Sequence, residues 1–172
     1  MPENNLALMA HLMRRAGFGS TREELEEYAS RGYENVVEDL LHPDRSPAVD
    51  HDIVDRYYGG EGINVWAGKW IYRMVNSQRP LEEKIPLFWH HVFATAWYKG
   101  EHTLTMFRQI EMFTRFGLSD MGTILLNLSR DPAMISWLDN NENYKDEPNE
   151  NYGRELLELF SMGVGNYTEQ DI

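Results

Sequence analysis

The chain has 172 residues, no cysteine and a formal charge of −12, from 28 acidic against 16 basic side chains. That charge repels phosphate backbones and anionic membrane surfaces, which argues against a nucleic-acid partner, and the missing cysteines exclude disulfides, a thiolate nucleophile and Cys-ligated zinc. A hydrophobic share of 42% suits a buried core, whereas no apolar run approaches the roughly 18 residues a membrane span needs.

Apolar spacing is helical nearly throughout. Leu6, Met9, Leu12 and Met13 mark a first helix up to Gly17. The opening MPENNLALMAHLMRR lacks the basic start and continuous apolar stretch of a signal peptide, so the expected location is cytoplasmic. Ser20 or Thr21 caps a second helix that runs through Leu25 and Tyr28 to Gly32, and Val36, Val37, Leu40 and Leu41 form a third, ended by Pro43. A short fourth helix is expected from Pro47 to Tyr58. GGEG, residues 59–62, is the best internal hinge, and a fifth helix spans Asn64 to Asn76 with Trp66 and Trp70 one turn apart.

The stretch 80–98 reads as a central, aromatic-rich helix. At about 100° per residue, Leu81, Ile85, Phe88, Trp89, Val92, Phe93, Ala96 and Trp97 fill about half its circumference, and Leu87 and Ala94 add to the other half, so the helix should be mostly enclosed. Pro86 lies inside it and should kink or restart it. Helices at 102–116 and 119–130 follow, separated by Gly100 and Gly117, and nothing reads as a strand.

The richest segment is DNNENYKDEPNENYGRELLE, residues 139–158. Asp131 with Pro132 starts the helix before it, whose apolar stripe is Ala133, Met134, Trp137 and Leu138. Asn149 or Asn151 caps the helix after it, which carries Tyr152, Leu156, Leu157, Leu159 and Phe160 and closes at Gly163. Counted from Asp139, the loop places Asn141 third, Asn143 fifth and Glu150 twelfth, the oxygen pattern of an EF-hand for Ca2+ or another hard divalent cation. Tyr144 stands where that pattern needs glycine, and Pro148 also departs from it. The plain alternative is that these Asn and Asp side chains cap helix ends and pin a turn.

Glu150, Arg154 and Glu158, four residues apart, suit an exposed charge ladder. Glu155 lies at the edge of the apolar face and is the candidate for a partly buried carboxylate with a raised pKa, fit for general acid or base work. His90 and His91 are about 100° apart on a helix and cannot share one ion, and Glu83 is about 10.5 Å from His90 along the axis, too far for joint chelation. His90 is then either a structural histidine or one that faces a substrate. Arg108 and Arg115, with Glu111, read as a solvated ion-pair face. No phosphate-binding loop and no G-x-S-x-G elbow is present. NYTEQDI sets Thr168 and Asp171 as the start of a further helix, so the chain is expected to continue past Ile172 into a C-terminal part that completes it.

Three blocks carry a resemblance: HLMRRAGFGSTREEL, PLEEKIPLFWHHVF, and SRDPAMISWLDNNENYKDEPNENYGRELLELFSMGVGNYTEQDI. Together they resemble the bacterial family known as domain of unknown function 1800 over nearly the whole chain, and PNENYGRELLELFSMG is the specific part. Pro86 departs from the family's usual pattern. Family members are often exported, and the family has no established activity. The resemblance implies that His90, Asp139, Asn140, Asn143, Asn149, Glu150, Asn151, Arg154 and Glu155 stand in motif positions.

The expectation is a single all-α domain over residues 1–172, a compact array of about ten short helices around the aromatic-rich one. The function expected first is a hydrolase-like, ligand-processing site. Glu155 and His90 would serve catalysis there, Asn140, Asn149, Asn151 and Arg154 would bind ligand, and Asp139, Asn141, Asn143 and Glu150 would hold a cation. The alternative is a non-catalytic scaffold or interaction module for a protein partner, with the polar loop as a structural connector.

Overall fold

A computed structural model describes residues 3–57, 59–100 and 102–172. The described residues form eleven α-helices, no strand, and one isolated bridge between Tyr144 and Glu147. No described helix is long and apolar enough to cross a membrane. Contacts gather into two units, Met1–Phe88 and Trp89–Ile172.

In the first unit, α1 (Glu3–Ala16), α2 (Arg22–Arg31) and α3 (Tyr33–Leu41) enclose Met9, Met13 and Val36, against which Leu12, Leu25, Tyr28 and Leu40 pack. Thr21 starts α2 with a capping box: its side chain accepts from the Glu24 N–H, and the Glu24 carboxylate accepts from the Thr21 N–H at 2.7 Å. Gly17 follows the end of α1, and a side chain there would meet the Pro80 ring at 2.9 Å. α4 (His51–Tyr57) starts four residues later than the apolar pattern suggested. Residues 47–50 are not helical, a 3-10 turn opened by Pro43 spans residues 43–45 before them, and the expected end at Tyr58 lies outside the described residues. The glycine-rich segment 59–62 joins α4 to α5 (Ile63–Asn76). α5 holds Lys69 at 2.7 Å from Asp55 and 4.6 Å above the Trp66 ring, and Arg73 at 2.8 Å from Glu83.

The helix expected over 80–98 is shorter and less enclosed: α6 is Pro80–Val92, and a separate turn, α7 (Trp97–Gly100), follows. Residues 94–96 leave the helix, and there the Thr95 hydroxyl is buried and donates to Gln109 Oε1 at 2.6 Å. Leu87, Phe88 and Val92 are exposed, while Glu83, Pro86 and Phe93 are buried. α6 runs through Pro86 without restarting. A proline there forfeits one backbone bond at about 3 kcal/mol, which burial of its ring offsets in part.

In the second unit, α8 (Thr103–Phe116), α9 (Met121–Leu128) and α10 (Pro132–Trp137) surround Phe93, Phe113, Ile124, Leu128, Met134 and Leu138. The Trp89 indole N–H donates to the Gly117 carbonyl at 2.7 Å. Asp120 caps α9 by accepting from the Thr123 hydroxyl and N–H, and these bonds hold its carboxyl below the usual range.

Candidate functional site

Asp131 starts α10 as the sequence implies, with its Oδ1 accepting from the Met134 N–H at 2.9 Å. The helix ends at Leu138, and Asp139 follows at φ 57°, a left-handed conformation that Asp tolerates better than most residues. A 3-10 turn over Asn140–Glu142 and a tight turn closed by the Tyr144–Glu147 bridge lead to α11 (Asn151–Glu155).

The loop asparagines bond to one another and to the loop's backbone. Asn143 Nδ2 donates to the Asn140 carbonyl at 2.8 Å and to Asn140 Oδ1 at 2.7 Å, and its Oδ1 accepts from the Asn149 N–H at 2.8 Å. Asn149 Nδ2 donates to the Asp139 carbonyl at 3.2 Å, while its Oδ1 accepts from the Asn151 N–H at 2.9 Å; the N-cap of α11 is Glu150, without a side-chain bond, rather than Asn149 or Asn151. Asn151 Nδ2 reaches the Leu138 carbonyl at 3.2 Å. Asn149 and Asn151 thereby meet backbone groups where α10 ends and α11 begins, which otherwise stay unpaired, while Asn140 and Asn143 tie the loop between them.

The four residues in the EF-hand pattern sit differently from one another. Asp139 Oδ1 lies 2.6 Å from Lys99 Nζ, which also donates to the Trp137 carbonyl at 2.6 Å. Asn141 is exposed, Asn143 is engaged as above, and Glu150 lies 3.4 Å from Arg154. Among the described residues no group of three or more His, Asp or Glu side chains is arranged to hold a metal ion. Beside the loop, a cavity of about 10 Å³ touches Trp97, Lys99, His102 and Trp137, room for about one water rather than a substrate.

The expected ladder is only half present. Arg154 meets Glu150, but its closer partner is Glu169, at 2.7 and 3.0 Å through both guanidinium ends, while Glu158 accepts from the Tyr167 hydroxyl at 2.8 Å. Each partner shifts the other: the bond to Glu169 raises Arg154, and Arg154 holds Glu169 below its ordinary value. Glu155 is half-buried at the end of α11, where the helix widens into a π-helical turn over Leu156–Ser161. Gly153 lets the last residue come close, since a side chain there would meet Ile172 at 3.1 Å.

His90 belongs to a set of residues that pattern reading did not assemble. It is half-buried, and Gln109 opposes the effect of that burial on its imidazole. Gln109 is fully buried, accepts from Thr95, and donates from Nε2 to Asp131 Oδ1 at 2.7 Å. The chain through Gln109 therefore runs from Thr95 to the start of α10, at the opposite end from Asp139. A signal for it existed: Gln109 lies on the helical stripe of Met106, Ile110 and Phe113, a polar residue at a core position.

Burial pushes His90 below its ordinary value, against the opposing pull of Gln109, and burial pushes Asp131 up. The unfolded imidazole takes a proton near pH 6.5 and the folded one resists it. The stability His90 contributes is therefore complete above about pH 6.5 and is lost as pH falls toward its lower folded value. Asp131 slopes the other way: its raised value means stability is regained as pH falls through it toward the ordinary carboxylate range. We expect His90→Gln to lose less stability than wild type between about pH 7.5 and about pH 5, measured by urea unfolding at both. Equal losses would show that His90 does not titrate with folding.

A family model described as a protein of unknown function (DUF1800) matches residues 11–172. No curated protein and no solved structure matches the chain.

Proposed function

Because the chain belongs to the DUF1800 family, whose description carries no activity, its function must be read from its own side chains, and we propose that it is a non-catalytic interaction module with the 139–151 loop as a rigid connector. The observation that carries this reading is the amide ladder. Asn140, Asn143, Asn149 and Asn151 direct their side chains to one another and to the loop's own backbone. Asp139 is paired with Lys99, and Arg154 with Glu169. Groups spent in this way hold a shape and leave little for a substrate.

Asn149 makes the test, since it supplies both a donor to the Asp139 carbonyl and the acceptor for the Asn151 N–H. Asn149→Ala should cost about 1 to 3 kcal/mol, and at this size lower the unfolding midpoint by roughly 2 to 10 °C. A variant that melts with the wild type would remove the connector role.

A second reading is a ligand-processing, hydrolase-like site, favoured by the half-buried Glu155 at the entrance of a π-helical turn, a feature frequent at functional sites. There Glu155 is the acid or base, His90 assists it, and Asn140, Asn149, Asn151 and Arg154 bind ligand. Asp139, Asn141, Asn143 and Glu150 take Ca2+ or another hard cation once Lys99 releases Asp139. Calcium at a hundredfold excess over its dissociation constant would add about 2.7 kcal/mol and raise the midpoint by roughly 5 to 10 °C. An unchanged midpoint in millimolar calcium, relative to chelator, removes the cation from this reading.

A further inference from the structure

We propose that an open groove in the first unit is a docking site for a basic amphipathic helix of a partner protein. The groove encloses about 1030 Å³ and is lined by residues from α1, α2, α3 and α5. A helix about 10 Å across rises about 5.4 Å per turn, so each turn fills roughly 400 Å³ and the groove takes about two turns.

One wall is apolar and open to water. Ile71 is 58% exposed and Val75, one turn further along α5, is 76% exposed, with Phe18 at 43% across the groove. Two apolar side chains one helical turn apart, left in water, match the spacing by which a helix inserts its own apolar stripe.

The charge on the other wall selects the partner's sign. Of the basic residues that line the groove, Arg31 is paired with Asp39, and Arg79 donates to the Ser46 carbonyl at 2.7 Å and lies 3.6 Å from Glu82. Glu24 and Glu27 also line it, and among the described residues neither forms an ion pair with a basic side chain. Glu24 and Glu27 leave negative charge one turn apart on α2, while Lys84 lies 4.9 Å over the Phe18 ring, so the complement to the α2 wall is a helix with Leu-like residues on one face and Lys or Arg beside them.

This inference rests on reading the chain as an interaction module, but the two fail separately. Asn149→Ala tests the connector in the second unit, whereas the groove is tested by binding. Two labelled helical peptides of equal length serve as probes, one of Leu and Lys and one of Leu and Glu, titrated with the intact chain and followed by fluorescence anisotropy. The Leu/Lys peptide should bind and the Leu/Glu peptide should not. Glu27→Lys and Val75→Asp, both at exposed positions, should each weaken binding about tenfold or more. Glu147→Lys, which makes the same change of net charge on the exposed loop of the other unit, should leave it unaltered. Equal binding of both peptides, equal weakening by Glu147→Lys, or no effect of Val75→Asp would overturn the proposal. So would sedimentation showing a dimer that Val75→Asp dissociates, since the occupant would then be a second copy of this chain.

Discussion

Phe93→Ala should lower the stability of the second unit by about 3 to 5 kcal/mol, the range for removing a fully buried aromatic ring whose site cannot collapse. Phe93 has no exposed surface. Its ring stacks on Trp89 at 5.3 Å, lies 6.1 Å from Phe113, and receives the edge of Phe160 at 5.1 Å. The truncation therefore removes contacts to the end of α6, to α8 and to the π-helical turn that carries Phe160. Leu126→Ala is the control, because Leu126 is 60% exposed and an exposed side chain of this kind changes stability by no more than about 0.5 kcal/mol. Urea unfolding followed by tryptophan emission reads both. If Phe93→Ala cost no more than Leu126→Ala, the aromatic cluster would not be the core of this unit.

What was legible in the sequence was local. The Thr21–Glu24 capping box, the Asp131 cap and the left-handed Gly163 that ends the last helix all depend on neighbours within a few positions. Periodicity sees the same range, so it found the helices and put Phe93 on an apolar face. It failed where a distant residue decides the outcome. The run 80–98 stays apolar past Val92, yet the backbone leaves the helix beside Thr95, whose hydroxyl meets Gln109 fourteen positions on. Arg154 reads as a partner of Glu150 and Glu158, yet Glu169 takes both ends of its guanidinium. Lys99 carries no pattern that would point to Asp139. The π-helical turn over Leu156–Ser161 has the apolar spacing of an ordinary helix, so no count of residues distinguishes it. In the loop, the sequence offered two uses for one set of oxygen atoms, cation ligands or caps. The amide ladder depends on side-chain rotamers, which spacing does not encode.

The other large effect is expected at Glu83, which is buried with its carboxylate 2.8 Å from the Arg73 Nε, itself on a side chain only 11% exposed. Glu83→Ala leaves the guanidinium in that setting without this carboxylate and should cost about 3 to 5 kcal/mol. Arg73→Met should cost a similar amount near neutral pH but respond differently to acid. Its buried carboxylate, no longer beside the Arg73 guanidinium, binds a proton more readily in the folded chain than in the unfolded one. Stability is then regained as pH falls and lost again as pH rises. Glu83→Ala has no such carboxylate and should show no such recovery. Removing both charges together, as Arg73→Met with Glu83→Leu, replaces an ion pair by apolar contacts of similar volume and should return stability to within about 1 kcal/mol of wild type. The comparison separates two accounts of why an acid sits inside α6. If the double variant is as stable as wild type, the pair acts by matching two buried charges, and its worth lies in fixing how α5 meets α6. If the double variant stays as unstable as Glu83→Ala, the carboxylate has further partners whose bonds the apolar pair cannot replace, and the energy belongs to those bonds rather than to Arg73.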